Sequence, residues 1–213
     1  MESNESLVKG DKEVAMNTHN LPKMLYSYSE GWQDLIQVHP TVAKIFTMYV
    51  MPMSLIPPAM FLYSMFATPG AVFPELVPQI SVGEALAAAI AFYVAELAMV
   101  ALMASIIQQM GDVVDAKPPY SESFILASVA PTPLWLSALA LFIPFAWAAG
   151  IVVAAAWVAS AALIYHGVYP LFKLEDRSKS RLMGSFVLTA GVIAWCALLV
   201  VLALAMSMIV GLR

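Results

Sequence analysis

The chain has 213 residues, of which 62% are apolar and 11% are charged, and its formal net charge is -4. A soluble domain has roughly 45–50% apolar and about 25% charged residues, so this chain has more apolar surface than a water-soluble core can bury. The composition therefore predicts an integral membrane protein and excludes intrinsic disorder and nucleic-acid binding as main roles. The single cysteine, Cys196, excludes a disulfide framework.

The first 41 residues are more polar than the rest of the chain. Residues 1–20 mix both signs of charge and have no apolar run, which predicts a flexible cytoplasmic tail rather than a cleaved signal peptide. Residues 21–41 repeat apolar side chains at helical spacing, with polar residues largely on the other side. This pattern predicts an amphipathic helix lying in the membrane interface, with Tyr28, Trp32 and Leu35 on its lipid-facing side. The alternative is an ordinary amphipathic helix that packs on the cytoplasmic end of a helical bundle.

Five apolar segments follow in residues 42–213, and each is close to the roughly 20 residues that a membrane-spanning helix needs. Because an open strand edge cannot lie in lipid, the fold class predicted is an all-α membrane protein with a five-helix bundle. Only a short break at Pro144 separates the third segment from the fourth, so these two form a tight hairpin. The predicted spans are Lys44–Met65, Glu84–Ile107, Ser123–Ile143, Phe145–Tyr165 and Gly184–Val210.

Lys and Arg are distributed unevenly across this predicted topology. If the N-terminus is cytoplasmic, nine of the ten basic residues lie inside, and only Arg213 lies outside. The positive-inside rule therefore predicts a cytoplasmic N-terminus and an external C-terminus. The nine inner residues are Lys9, Lys12, Lys23, Lys44, Lys117, Lys173, Arg177, Lys179 and Arg181.

Glu96 is the acidic residue that lies deep within a predicted span, about 18 Å along the helix from Glu84. A carboxylate at this depth costs at least about 2.5–3.5 kcal/mol, so the side chain is expected to face the bundle or a wet cavity. One interpretation is a site that handles protons or cations. The other is a neutral structural carboxyl that is hydrogen-bonded to a neighbouring helix.

Prolines in spans one and three each remove a backbone donor and leave the carbonyl four residues earlier without its amide partner. In lipid such a carbonyl needs another partner, and serine and threonine hydroxyls lie nearby in the sequence. We therefore predict a shared polar pocket among spans one, two and three; the alternative is a set of kinked helices around a dry core. The candidate pocket residues are Glu96, Tyr93, Ser54, Ser128, Thr132, Pro52, Pro131 and Pro133.

Motifs for catalysis or cofactor binding are missing from the sequence. It contains no Gly-rich phosphate loop, no nucleophile elbow and no HExxH motif. His19, His39 and His166 lie too far apart in sequence to show the spacing of metal ligands. We therefore expect no metal, no cofactor and no enzymatic activity.

The third span contains the residues Phe124-x-x-Ala127-x-x-Ala130-x-x-Pro133-x-Trp135-Leu136. This spacing resembles the signature that opens the third span of Yip-domain membrane proteins. The end of span four, Tyr165-His166-Gly167-Val168, is similar to a second element of that family. The polar N-terminal stretch around Trp32 resembles the bacterial inner-membrane (YohC-like) branch. The resemblance implies a five-span, non-enzymatic protein of the bacterial inner membrane and supplies no catalytic residues.

Two functions remain open at this point. The first is a non-enzymatic protein that organises the membrane or partner proteins, with the lipid bilayer and membrane or cytoplasmic proteins as its partners. The second is a small transporter or channel component that handles protons or cations at Glu96. Small residues at four-residue spacing in spans two and four favour close packing within the monomer, with a homo-oligomer as the alternative.

Overall fold

The computed structural model describes residues 31–38, 40–70, 80–174 and 176–211. In these residues every regular element is a helix, and five helices are long and apolar enough to cross a membrane. This confirms the predicted all-α membrane bundle. The predicted tail, Tyr28 and His39 lie outside the described residues.

The five spans begin and end at different residues from the predicted ones, and all five are longer. Span two has 32 residues and a length of about 48 Å, which exceeds the roughly 30 Å of the hydrocarbon core, so its ends extend beyond the bilayer. The spans are Val42–Phe66, Val82–Val113, Tyr120–Phe142, Ala146–Leu171 and Arg177–Gly211.

Span one is built from short helical segments rather than one continuous helix. A π-helical turn covers Phe46–Val50, and α-helical segments follow at Met51–Ser54 and Ile56–Phe66. The π-helical turn lies directly before the segment that contains Pro52, whose ring nitrogen has no hydrogen to donate to the preceding turn. The proline-rich sequence thus explains why span one changes its hydrogen-bonding pattern along its length.

Span two starts at a capping box formed by Ser81 and Glu84. The Ser81 backbone N–H donates to Glu84 Oε2 at 2.7 Å, and the Glu84 backbone N–H donates to Ser81 Oγ at 3.3 Å. These bonds satisfy donors that a helix start leaves without intrahelical acceptors. They fix the first turn of the helix that carries Glu96.

Span three is the central helix of the bundle. All residues from Ser123 to Ala130 are buried. Span two packs extensively against both span three and span five. The outer faces of all five spans expose apolar side chains where a bilayer would contact them. Span three ends in a 3-10 turn at Ala138–Phe142, and span four begins at Ala146, which confirms the predicted hairpin at Pro144.

The N-terminal helix, Trp32–Val38, packs into the bundle. Trp32 is 0% exposed and Leu35 is 5% exposed. A Cβ atom built on Gly167 of span four would lie 2.5 Å from the Trp32 indole, so the glycine provides the space that the indole occupies. The prediction that Trp32 and Leu35 face the lipid headgroups is therefore wrong, because an apolar helix face gives no information about which apolar surface covers it.

Candidate functional site

The Glu96 side chain faces a cavity inside the bundle, and only 4% of the residue is exposed. The cavity has a volume of about 250 Å³ and lies mainly between spans two, three and five, with single residues from spans one and four at its edges. A buried acidic side chain and an internal cavity therefore coincide near the middle of span two.

The cavity wall is apolar apart from the Glu96 carboxyl and the indole nitrogens of its tryptophans. Span two contributes residues at helical spacing from Phe92 to Ile107, which corresponds to about 22 Å along the helix axis. Leu199 of span five also lines the cavity and is 43% exposed, so the cavity reaches the lipid-facing surface. The main wall residues are Phe92, Met99, Met103, Ile107, Ala127, Pro131, Leu134, Trp135, Val187, Gly191, Trp195 and Leu198.

The Glu96 carboxyl has one polar neighbour among the described residues. The Trp135 side chain of span three lies close enough to act as a donor to it, and the carboxyl oxygen Oε2 is buried without a partner. A carboxyl group can accept hydrogen bonds in either protonation state and can donate one when it is protonated. Oε2 has less than 1 Å² of accessible surface, so a group in the cavity reaches it only when the carboxyl group turns.

Two predicted pocket hydroxyls bond within their own helices. Ser54 Oγ donates to the Val50 carbonyl at 2.8 Å, and Ser128 Oγ donates to the Phe124 carbonyl at 2.7 Å. This is the usual way for a helical serine to satisfy its hydroxyl in apolar surroundings. Neither side chain lines the cavity that contains Glu96.

The other predicted polar residues connect span one to its neighbours. Tyr93 Oη donates to the carbonyl of Met51 at 3.0 Å, next to Pro52. The hydroxyls of Tyr49 and Thr132 lie 2.6 Å apart and link span one to span three. These groups form two separate contacts outside the cavity wall. Pro52 and Pro133 do not line the cavity either. Of the predicted set, the structure brings Glu96 and Pro131 together in the cavity.

Pro131 interrupts span three beside Glu96. Regular α-helix ends at Val129 and starts again at Thr132, so the regular helix is interrupted where the proline lies. Ala127, Pro131 and Trp135 are four residues apart and all line the cavity. The interruption therefore lies in the part of span three that carries the Trp135 indole.

Sequence reasoning missed Trp135 as a neighbour of Glu96, and it missed the whole contribution of span five. The spacing of Trp135 from Pro131 could have placed the two on one helix face. No comparable signal exists for span five, because its Val187, Gly191 and Trp195 are ordinary apolar residues of a spanning helix. The described residues contain no group of three His, Cys, Asp or Glu side chains that could hold a metal ion.

A second feature is the end of the bundle that carries exposed basic side chains, here named the basic end: Lys117, Lys173, Arg177, Lys179 and Arg181. Lys179 forms an ion pair with Asp115 at 3.6 Å, which connects the start of span five to the loop after span two. Gly167, against which Trp32 packs, lies in the last turns of span four at the same end. The N-terminal helix and the two loops are thus joined in one surface.

Comparison with known protein families shows which family the chain belongs to. The sequence model of the Yip1 domain matches residues 23–199, which is most of the chain. The protein belongs to the Yip1-domain family. The Yip1 match includes the N-terminal helix with Trp32, in keeping with its burial in the bundle. No curated protein and no solved structure matches the chain.

Proposed function

We propose that this Yip1-domain protein is a non-enzymatic membrane protein that organises the membrane or partner proteins through its basic end. The observation that carries the proposal is the burial of Trp32 against Gly167, which fixes the N-terminal helix to that end of the bundle. A surface held in place by a buried tryptophan keeps its shape. Binding a partner there therefore costs the protein little conformational entropy.

The charges of the basic end support the same proposal. Lys173, Arg177 and Arg181 are exposed, and basic side chains next to a membrane attract anionic lipid surfaces by about 1 kcal/mol each. Acidic surfaces of other proteins provide the same attraction. We place this end in the cytoplasm on the basis of the positive-inside distribution, and at a bacterial inner membrane on the basis of the resemblance to the YohC-like branch.

Site-specific photo-cross-linking in intact cells tests this role. A photoreactive amino acid at Lys173 should give reproducible adducts with a protein or with anionic lipid, because that side chain is exposed at the basic end. The same amino acid at Val158, which is 72% exposed on span four, is the matched control for contact with bulk lipid. Equal adduct patterns at the two positions would contradict the proposal. So would an adduct pattern at Lys173 that stays the same in a variant carrying both Arg177→Gln and Arg181→Gln.

A second candidate function is the handling of protons or cations at Glu96. It is favoured by a buried acidic side chain that lines an internal cavity and has an unpartnered carboxyl oxygen. The apolar wall opposes it, because an ion that reached this depth would find one carboxyl and few other polar groups. Proton and cation flux into liposomes that contain the purified protein decides between the two functions. A flux above that of empty liposomes that Glu96→Gln abolishes would establish the second function. The first function predicts no such flux.

A further inference from the structure

We propose that the Glu96 cavity binds a neutral single-chain lipid whose hydroxyl group hydrogen-bonds to the Glu96 carboxyl. The inference is independent of the role of the basic end, since it rests on a different part of the molecule. Its basis is the combination of an elongated apolar cavity with one acidic side chain in its wall, Glu96, whose carboxyl group has an oxygen without a partner in the described structure.

The shape of the cavity points to a hydrocarbon chain. Its wall follows span two from Phe92 to Ile107, about 22 Å along the helix axis, while its volume is only about 250 Å³. The space is therefore long and narrow, and it runs with the spans, as the acyl chains of the surrounding bilayer do. Flexible methionines at Met99 and Met103 let the wall adapt to an occupant.

The polarity of the cavity defines the other end of the ligand. Glu96 is 4% exposed and lines the cavity near the middle of span two, and its Oε2 atom has no partner in the described structure. Oε2 has less than 1 Å² of accessible surface, so it meets an occupant when the carboxyl group turns about its last side-chain bond. A hydroxyl group both donates and accepts, so it pairs with the carboxyl whether Glu96 is protonated or ionised. A charged or zwitterionic headgroup would lose far more hydration free energy at this depth, which excludes phospholipid headgroups from the Glu96 end of the cavity.

An access path exists at the surface of span five. Leu199 belongs to the cavity wall and is 43% exposed, so a chain in the bilayer can enter between span five and its neighbours. Entry from the side requires no opening of the basic end and no water-filled route. The ligand class is therefore one that dissolves in the bilayer, such as a long-chain alcohol.

The test uses the full-length protein in nanodiscs made from a zwitterionic phospholipid. Two photoreactive probes are compared: a dodecan-1-ol with a diazirine in its chain, and the matched dodecane without the hydroxyl group. The alcohol should label wall residues such as Met99 and Met103 at about tenfold lower concentration than the hydrocarbon, which corresponds to about 1.4 kcal/mol. Unlabelled dodecan-1-ol should compete for the same adducts.

Two glycine variants provide matched controls. A Cβ atom on Gly191 or on Gly150 meets no atom within 4 Å, but only Gly191 lines the cavity. Gly191→Leu should fill the cavity and remove the labelling, while Gly150→Leu should retain it. Equal labelling of these two variants would overturn the proposal.

Variants of Glu96 test the hydrogen bond itself. Glu96→Leu should lower labelling by the alcohol to the level of the hydrocarbon, whereas Glu96→Gln, which still donates and accepts, should keep the preference for the alcohol. If Glu96→Leu fails to fold, the comparison of the two probes on the wild-type protein still decides. Equal labelling of the wild-type cavity by alcohol and hydrocarbon would overturn the proposal.

Discussion

The contact between Trp32 and Gly167 shows how one small residue determines where a neighbouring helix binds. The glycine leaves a recess in span four, and the indole fills it so closely that a Cβ atom would lie 2.5 Å from the ring. Real atoms do not approach to that distance without a displacement, so the position tolerates no larger side chain while Trp32 is in place.

Gly167→Ala should therefore destabilise the protein by about 1–3 kcal/mol, because the methyl group forces the indole out of its recess. Gly150→Ala is the matched control: the glycine is exposed in the same helix with open space around it, so alanine should stabilise by roughly 0.5–1 kcal/mol. Thermal unfolding in detergent measures both. Equal effects of the two variants would contradict the observed contact, as would an undiminished effect of Gly167→Ala in a Trp32→Leu background.

A second prediction at the residue scale concerns the hydroxyl of Tyr93. It donates to the Met51 carbonyl at 3.0 Å, and Tyr93→Phe leaves that carbonyl without this partner next to Pro52. The carbonyl keeps a longer hydrogen bond, 3.4 Å, from Ser54 Oγ, so the loss should cost about 0.5–1.5 kcal/mol of unfolding free energy. Tyr63→Phe serves as the control, since the Tyr63 ring packs on Phe142 and keeps this contact without its hydroxyl. If both variants unfold at the same temperature, the Tyr93 bond contributes nothing.

Some of these residue-level features could be predicted from the sequence and others could not. Glu96 stands out because an acidic side chain is costly in a span. The partners of Ser54 and Ser128 were not predictable, because a serine can bond either its own helix or a neighbouring one, and only the packing decides. The recess at Gly167 depends on the relative position of two helices that are distant in sequence.

At the scale of elements, proline is the strongest signal in the chain. Proline predicts a local disturbance of span three, and the structure interrupts the regular α-helix between Val129 and Thr132. It does not predict which way the freed backbone adapts, and span one uses a π-helical turn before Pro52 instead of a simple kink. Several local hydrogen-bond patterns accommodate a proline, which has no backbone N–H to donate. The packing of the neighbouring helices selects among these patterns.

Pro131→Ala should straighten span three, since an alanine N–H at this position restores a donor toward the Ala127 carbonyl. Spin labels at Ser121 and Leu136, in a Cys196→Ala background, report the change by pulsed electron paramagnetic resonance. A continuous helix would separate the two backbone positions by about 22 Å, and the variant should move toward this limit. Pro133→Ala should move the distance less, because Pro133 lies in the first turn of Thr132–Ser137, where proline is tolerated. An unchanged distance in Pro131→Ala would show that packing, not proline, breaks the helix.

At the scale of the whole molecule, composition and hydropathy were sufficient to predict the architecture. The five spans follow from length and apolarity, because lipid admits only structures that satisfy their backbone internally. The cavity could not be predicted in this way, since spans two, three and five are all apolar and the space between them depends on how they pack.

The charge distribution predicts the orientation of the bundle. In a Cys196→Ala background, Ser178→Cys at the basic end should react with a membrane-impermeant maleimide only after the cells are opened. Ala67→Cys, exposed after span one at the other end, should react in intact cells. Labelling of Ser178→Cys from outside intact cells would reverse the orientation.

The central claim is that Glu96 lines an apolar cavity rather than a water-filled path. An experimental density map of the full-length protein in a lipid nanodisc tests this claim most directly. With added dodecan-1-ol, the map should show elongated density between spans two, three and five, ending within hydrogen-bonding distance of Glu96 Oε2. A continuous column of ordered water or an ion connecting Glu96 to the basic end would contradict the account.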